Sequence, residues 1–140
     1  MLTEKDKELI QEAIAQAELQ TSGEIRVHVD KACEKDPVQR AIEVFEQLKM
    51  HETEQRNGVL IYVAFSNKKL AIIGDKGINE VVPSNFWDST RDCMIADFKK
   101  EAFTNGIIAA VNEAGKQLST FFPLLEGDQN ELSNEISTQE

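Results

Sequence analysis

The residues with the clearest chemical potential in this chain fall in three short blocks, Thr21-Ser22-Gly23-Glu24, Arg56-Asn57-Gly58 and Gly74-Asp75-Lys76-Gly77. They combine the carboxylates of Asp75 and Glu24, the amide of Asn57, and the cations of Arg56 and Lys76 with glycines that leave backbone N–H groups accessible. Further acids, Glu80, Asp88 and Asp92, follow in the next loop and helix, the last two at i, i+4 on one helical face. Hard oxygens of this kind suit a divalent cation: Ca²⁺ takes about six to eight of them, and Mg²⁺ settles for one or two carboxylates plus water. The candidate metal ligands are therefore Asp75, Asn57, Glu24, Glu80, Asp88 and Asp92, with Arg56 and Lys76 as anion contacts beside a backbone nest. Each also has a structural reading. Asp75 can cap a tight turn, Asn57 can hold a strand entry by an Asx-type bond, and Glu24, Asp88 and Asp92 can be solvated surface. There is no EF-hand loop and no Walker A spacing.

Nucleophilic chemistry finds less to work with. Cys33 and Cys93 lack CxxC or metal-ligand spacing, and neither is followed by a phosphate-cradling loop with Arg. His28 and His51 have no evident Ser or Asp partner and read as surface residues. The hydrolytic mechanism left is a water activated by a metal held at Asp75 and neighbouring acids, with Arg56 touching a phosphate. No catalytic residue is assigned.

Positioning these blocks falls to a run of alternating elements. Thr3 can cap a helix carrying Leu9, Ile10, Ala13, Ile14 and Ala17 at i, i+3, i+4 spacing, with Asp6 three residues after the cap. The helix ends near Gln20, and Thr21-Ser22-Gly23 turns the chain into a strand, Ile25–Asp30, that alternates apolar and polar and so has one face in the core and one at least partly wet. Asp36-Pro37 starts a second helix, with Ala41, Val44, Phe45 and Leu48 as its buried stripe. Val59–Phe65 and Leu70–Ile73, joined by Ser66-Asn67-Lys68-Lys69, read as a β-hairpin. The first of these runs is apolar at every position, which requires cover on both faces. The fold class is therefore an α/β three-layer α/β/α sandwich on a mixed sheet, a βαβ unit followed by the hairpin. That topology brings Thr21–Glu24, Asn57 and Asp75 to one end of the sheet. Ser84 or Asn85 can cap a third helix with Phe86, Trp87, Met94, Ile95 and Phe98, and a fourth runs from about Asn105 to Phe121-Phe122-Pro123.

At 140 residues and 41 % hydrophobic the chain suits one domain, residues 1–123. Residues 124–140 contain five acids and no Lys or Arg, and read as a disordered, solubilising tail. The tail carries half of the net charge of −10. An acidic balance disfavours nucleic acid, and no basic amphipathic stretch suits a membrane surface. With no apolar stretch of secretory or transmembrane length, the chain reads as a reduced, soluble, cytoplasmic monomer.

Taken in order and spacing, Thr21-Ser22-Gly23-Glu24-Ile25-Arg26-Val27, Arg56-Asn57-Gly58-Val59-Leu60-Ile61 and Ile73-Gly74-Asp75-Lys76-Gly77-Ile78 resemble the TPM domain family, named for relatives of a thylakoid acid phosphatase. The likeness continues through Phe86-Trp87, Phe98, Phe103 and Asn105-Gly106-Ile107, and spans nearly all of residues 3–123. It implies the same α/β/α sandwich and an acidic, divalent-cation-associated cleft near the NGV and GDxG blocks. It also implies either phosphomonoester hydrolysis or a role in assembling and repairing membrane complexes. The chain departs from the family pattern at Arg56, where many members carry Asp, and it lacks the signal peptide and membrane segment that many members have. The functional expectation is a non-catalytic binding module whose cleft takes Ca²⁺ or Mg²⁺, and a protein partner through the metal or the adjacent loop. The alternative is a weak metal-dependent acid phosphatase.

Overall fold

Every residue of strand β2, Gly58–Ala64, is buried, so the chain must cover it on both faces and along both edges. The computed structural model, which describes residues 2–124 and 136–139, shows how. Strand β1, Glu24–Asp30, lies parallel to β2 with Glu24 opposite Gly58 and Asp30 opposite Ala64. Strand β3, Lys69–Gly74, returns antiparallel on the other side, with Gly74 opposite Val59. Helix α1, Glu4–Glu18, and helix α5, Phe103–Phe121, cover one face of the sheet, where Ile25, Val27, Val59 and Ile61 meet Ile10, Ile14, Ile107 and Leu118. Helix α2, Pro37–Gln47, covers the other, placing Ala41, Val44 and Phe45 over Leu60, Tyr62 and Ala71. This is the mixed-sheet α/β/α sandwich that the periodicity demands.

The caps follow local chemistry. Thr3 and Asp6 form a reciprocal capping box at α1, and Asp36 caps α2 ahead of Pro37. Between α2 and β2 stands a 3₁₀ turn, Met50–Glu52. A four-residue helix, α3, Lys76–Asn79, follows β3. Helix α4, Asp88–Lys99, packs on α5. It starts later than the expected caps Ser84 and Asn85, because Phe86 and Asp88 donate their amides to Pro83 and Asn85 in turns that precede it. Leu9, expected in the buried stripe of α1, is 43 % exposed.

Two expectations are corrected along β1. Its polar alternate residues are drier than expected: Glu24, His28 and Asp30 are buried, and Arg26 is half-buried. His28 has the partners that the sequence did not reveal. Its Nε2 lies 2.8 Å from Asp30 Oδ1 and its Nδ1 lies 3.0 Å from Ser137 Oγ. An ionised Asp30 accepts a hydrogen bond from Nε2–H, which leaves Nδ1 to accept from the serine hydroxyl. Ser137 belongs to a fourth strand, β4, Ser137–Gln139, parallel to β1, so the sheet order is β3-β2-β1-β4. The expectation of a disordered tail does not hold for these three residues; residues 125–135 lie outside those described.

Candidate functional site

Construction of the sheet end begins with glycine. The amide of Gly77 donates to the Arg56 carbonyl at 2.8 Å, and a Cβ at position 77 would stand 2.2 Å from the Gln55 carbonyl oxygen. The Gln55-Arg56 turn therefore packs directly on the start of α3, with Arg56 in the left-handed region at φ 53°. From there the Arg56 guanidinium forks onto Asp75, donating from Nε to Oδ2 at 2.7 Å and from Nη2 to Oδ1 at 2.9 Å. Asp75 is buried and also accepts from the Lys76 amide at 2.7 Å, capping α3. The structural and the charged reading of Asp75 thus coexist, but the cation facing it is Arg56. Arg56 itself is raised further by its hydrogen bond to Asp75.

The remaining candidates divide by location. Lys76 and Glu80 are exposed on the same side as Asp75, 3.9 Å apart. Arg56, Asp75, Lys76 and Glu80 line an open cleft of ≈ 800 Å³ between α2, the 3₁₀ turn, the end of β3 and α3. Asp88 and Asp92 are exposed on α4, outside that cleft, and Asp88 pairs with Arg91. Among the described residues no group of three His, Cys, Asp or Glu side chains converges as a ready metal cage.

Asn57 and Glu24 lie one strand over, on the β1 side of β2. The Glu24 amide donates to the Asn57 carbonyl at 3.3 Å, and the Asn57 side-chain amide reaches Ser22 Oγ at 3.4 Å. Asn57 is 1 % exposed, yet its Oδ1 has no hydrogen-bond donor. The Thr21–Glu24 block is held from behind by the end of α5: Thr21 Oγ1 and the Ser22 amide both donate to the Phe122 carbonyl.

The residue that sequence reading missed here is Glu18. It is 5 % exposed at the end of α1, accepts the Ile25 amide at 3.0 Å through Oε2, and leaves Oε1 without a donor. Burial pushes its carboxyl up to about 8, and the neighbouring Glu24 carboxyl adds to the rise against the Ile25 bond. The signal was present in the helix periodicity, since Glu18 stands i+4 from Ile14 on the apolar stripe.

A second polar cluster lies at the other end of the parallel strands. Asp30 accepts from Arg40 Nε at 2.9 Å, from the Tyr62 hydroxyl at 2.5 Å and from His28. Burial raises the Asp30 carboxyl, but the bonds from Arg40, Tyr62 and His28 outweigh it and hold it below the ordinary carboxylate range. Burial likewise depresses His28 against the pull of Asp30, so its imidazole is neutral. Every lone pair that matters in this cluster has a donor, which makes it a satisfied core network.

Three comparisons bear on identity. No curated protein matches the chain. Among solved structures it is similar to the BA42 protein of the psychrophilic bacterium Bizionia argentinensis, at 46 % identity over 99 % of this chain and 96 % of that one, with a TM-score of 0.93. It shares its fold with the N-terminal domain of a P. gingivalis protein, at 14 % identity, 86 % and 78 % coverage and a TM-score of 0.69. The same holds for the N-terminal domain of the Corynebacterium glutamicum cg2496 protein, at 13 % identity, 100 % and 81 % coverage and a TM-score of 0.67. No helix among the described residues is long and apolar enough to cross a membrane. The TPM domain family model matches residues 1–117, a span that includes the three loop blocks of the sheet end, and the chain belongs to the TPM domain family.

Proposed function

We propose that this TPM domain is a non-catalytic binding module that takes Ca²⁺ or Mg²⁺ at its sheet end, with Glu24, Asn57 and the newly found Glu18 supplying oxygens. The observation that carries the reading is the buried oxygen without a donor on Glu18, beside the Glu24 carboxyl. A buried polar atom left without a partner is unfavourable by about 1–3 kcal/mol, and a hard cation in place of the proton on that oxygen relieves it. Burial, with the Glu24 carboxyl beside it, keeps Glu18 protonated at neutral pH, and a cation between the two takes the place of its proton. Asp75 and Glu80 stand across β2 and contribute less, because the Arg56 fork already occupies both Asp75 oxygens. The same occupancy takes up Asp75, the acid on which the phosphomonoesterase reading places its metal, and no observation favours that reading.

The reading is tested by amide NMR of metal-stripped protein during Ca²⁺ titration. Saturable shifts at Gly23, Glu24 and Asn57 are expected, with about one proton released per cation near neutral pH. Affinity should rise up to about tenfold per pH unit until Glu18 is ionised, and Glu18→Gln should abolish that dependence. Shifts confined to residues 126–140 would instead report diffuse attraction to acidic side chains and end the proposal.

A further inference from the structure

Strand β4 has three residues, paired in parallel to the last three of β1: Ser137 with His28, Thr138 with Val29 and Gln139 with Asp30. A strand of that length brings few ladder bonds, well short of the about 5–6 residues usual in sheets. Two side chains fasten it, one on each face. Ile136 packs half-buried against the core on the α1 and α5 side, and Ser137 Oγ lies 3.0 Å from His28 Nδ1 on the α2 side. His28 is thereby closed in. Its ring stacks on Tyr62 of β2 at 5.9 Å, its Nε2 faces Asp30, and Ser137 covers the Nδ1 edge, leaving the residue 2 % exposed.

A proton added at Nδ1 turns an acceptor into a donor, so the Ser137 hydroxyl has to rotate to receive it, and it places a charge where water has no access. The charged groups around the ring do not depend on β4. Asp30 on β1 favours the imidazolium, while Arg26 on the same strand and Arg40 on α2, itself bonded to Asp30 and 3.5 Å from Glu43, oppose it. Burial keeps Tyr62 a neutral phenol. All of these groups stay in place when β4 leaves. What changes is the access of water to Nδ1, since Ser137 is the part of the cover that β4 supplies. Burial is the largest influence holding His28 below its ordinary value, and undocking relieves part of it. The undocked state then takes the proton more readily, and by linkage the proton weakens docking by the same factor. We propose that residues 137–139 form a proton-released strap: uptake of a proton by His28 undocks β4 while the rest of the sheet stays folded, leaving the β1 edge with unpaired backbone groups. The proposal needs no cation and is independent of the reading of the Glu18 end.

The test is NMR of the full chain in the presence of chelator from about pH 7.5 to about pH 5, the interval in which an imidazole titrates. The His28 ring carbons report protonation, the amides of Ser137, Thr138 and Gln139 report docking, and those of Val59 and Ile61 report the sheet. Docking is expected to weaken by up to about tenfold per pH unit as His28 gains its proton, with coil-like shifts at 137–139 and native shifts at Val59 and Ile61. The double variant Ser137→Pro/Thr138→Pro removes a ladder N–H whichever of the two residues faces β1, and it keeps the chain at full length. Its His28 should titrate at a higher pH than that of the native chain. His28→Gln has no ring to protonate, so its strap population should not vary with pH. Equal titration of His28 in the native and double-proline chains would overturn the proposal, as would native shifts at 137–139 after His28 is protonated, or pH-dependent release persisting in His28→Gln. Loss of the native Val59 and Ile61 resonances together with the strap would show global acid unfolding and overturn it as well.

Discussion

At the residue scale, the sheet end hangs on Gly77. Its missing side chain is what lets the Gln55-Arg56 turn close on α3, since a Cβ would meet two backbone oxygens at 2.2 and 2.7 Å, and backbone cannot yield as a flexible side chain can. Gly77→Ala should therefore destabilise the fold by about 2–4 kcal/mol, read as a lower urea midpoint with unchanged slope. It should also separate Arg56 from Asp75, detectable as loss of protection of the Arg56 side-chain Nε–H. An Ala variant within about 0.5 kcal/mol of the native chain would mean that the turn does not pack as described. How much of this was legible beforehand follows from range. Gly74, Asp75 and Gly77 advertise a tight turn by local composition. That Asp75 would be met by Arg56, nineteen positions earlier, depends on the hairpin register and on a positive φ that an arginine rarely adopts. Glu18 was hidden by a different cause: a single acid on an apolar stripe looks like a helix end reaching solvent until the packing of Glu24 against it is known.

At the element scale, the contact between α1 and α5 sets how closely the helical layer lies on the sheet. Gly115 on α5 faces Ala17 on α1, and a Cβ there would stand 2.7 Å from the Ala17 Cβ. Two terms oppose each other in Gly115→Ala. Helix propensity favours alanine by about 1 kcal/mol, while forcing two helices apart costs about 1–3 kcal/mol. Packing wins if the second helix cannot shift, and α1 is fixed at both ends, by its capping box and by Glu18 on the Ile25 amide. A net loss of about 1 kcal/mol in chemical denaturation is expected, whereas a gain would show that α1 slides. The elements themselves were readable because their periods differ: 3.6 in α1, α2 and α5, and an unbroken apolar run in β2 that admits only a sheet covered on both faces. Two elements escaped that logic. Lys76–Asn79 is too short to show a period, and Ser137–Gln139 is a polar tripeptide whose strand form comes from the β1 edge it pairs with.

At the scale of the whole molecule, buried ionisable groups give stability a pH profile with a definite sign. Glu18 has its folded value raised from 4.5 to about 8, so the folded state holds a proton that the unfolded chain has lost, and stability falls as pH rises through that interval. His28 is depressed from 6.5, so the unfolded imidazole takes a proton that the folded one refuses, and stability falls as pH drops below 6.5. Asp30, held below 3.8, adds a loss that begins only in stronger acid. Between about pH 4.5 and 6.5 the first two slopes oppose each other, and the curve should be shallow. From about pH 6.5 to 8 the Glu18 slope stands without opposition from His28, and urea unfolding should show a decline on the order of 1 kcal/mol per pH unit at most. Glu18→Gln should remove that decline without altering the acid limb, and saturating Ca²⁺ should flatten it in the native chain by stabilising the ionised carboxylate. If the variant loses the decline and Ca²⁺ has no effect on the native curve, Glu18 is a structural acid and the cation belongs elsewhere. If Ca²⁺ flattens the native curve and leaves Glu18→Gln untouched, the buried carboxyl at the end of α1 is the group through which this domain senses its cation.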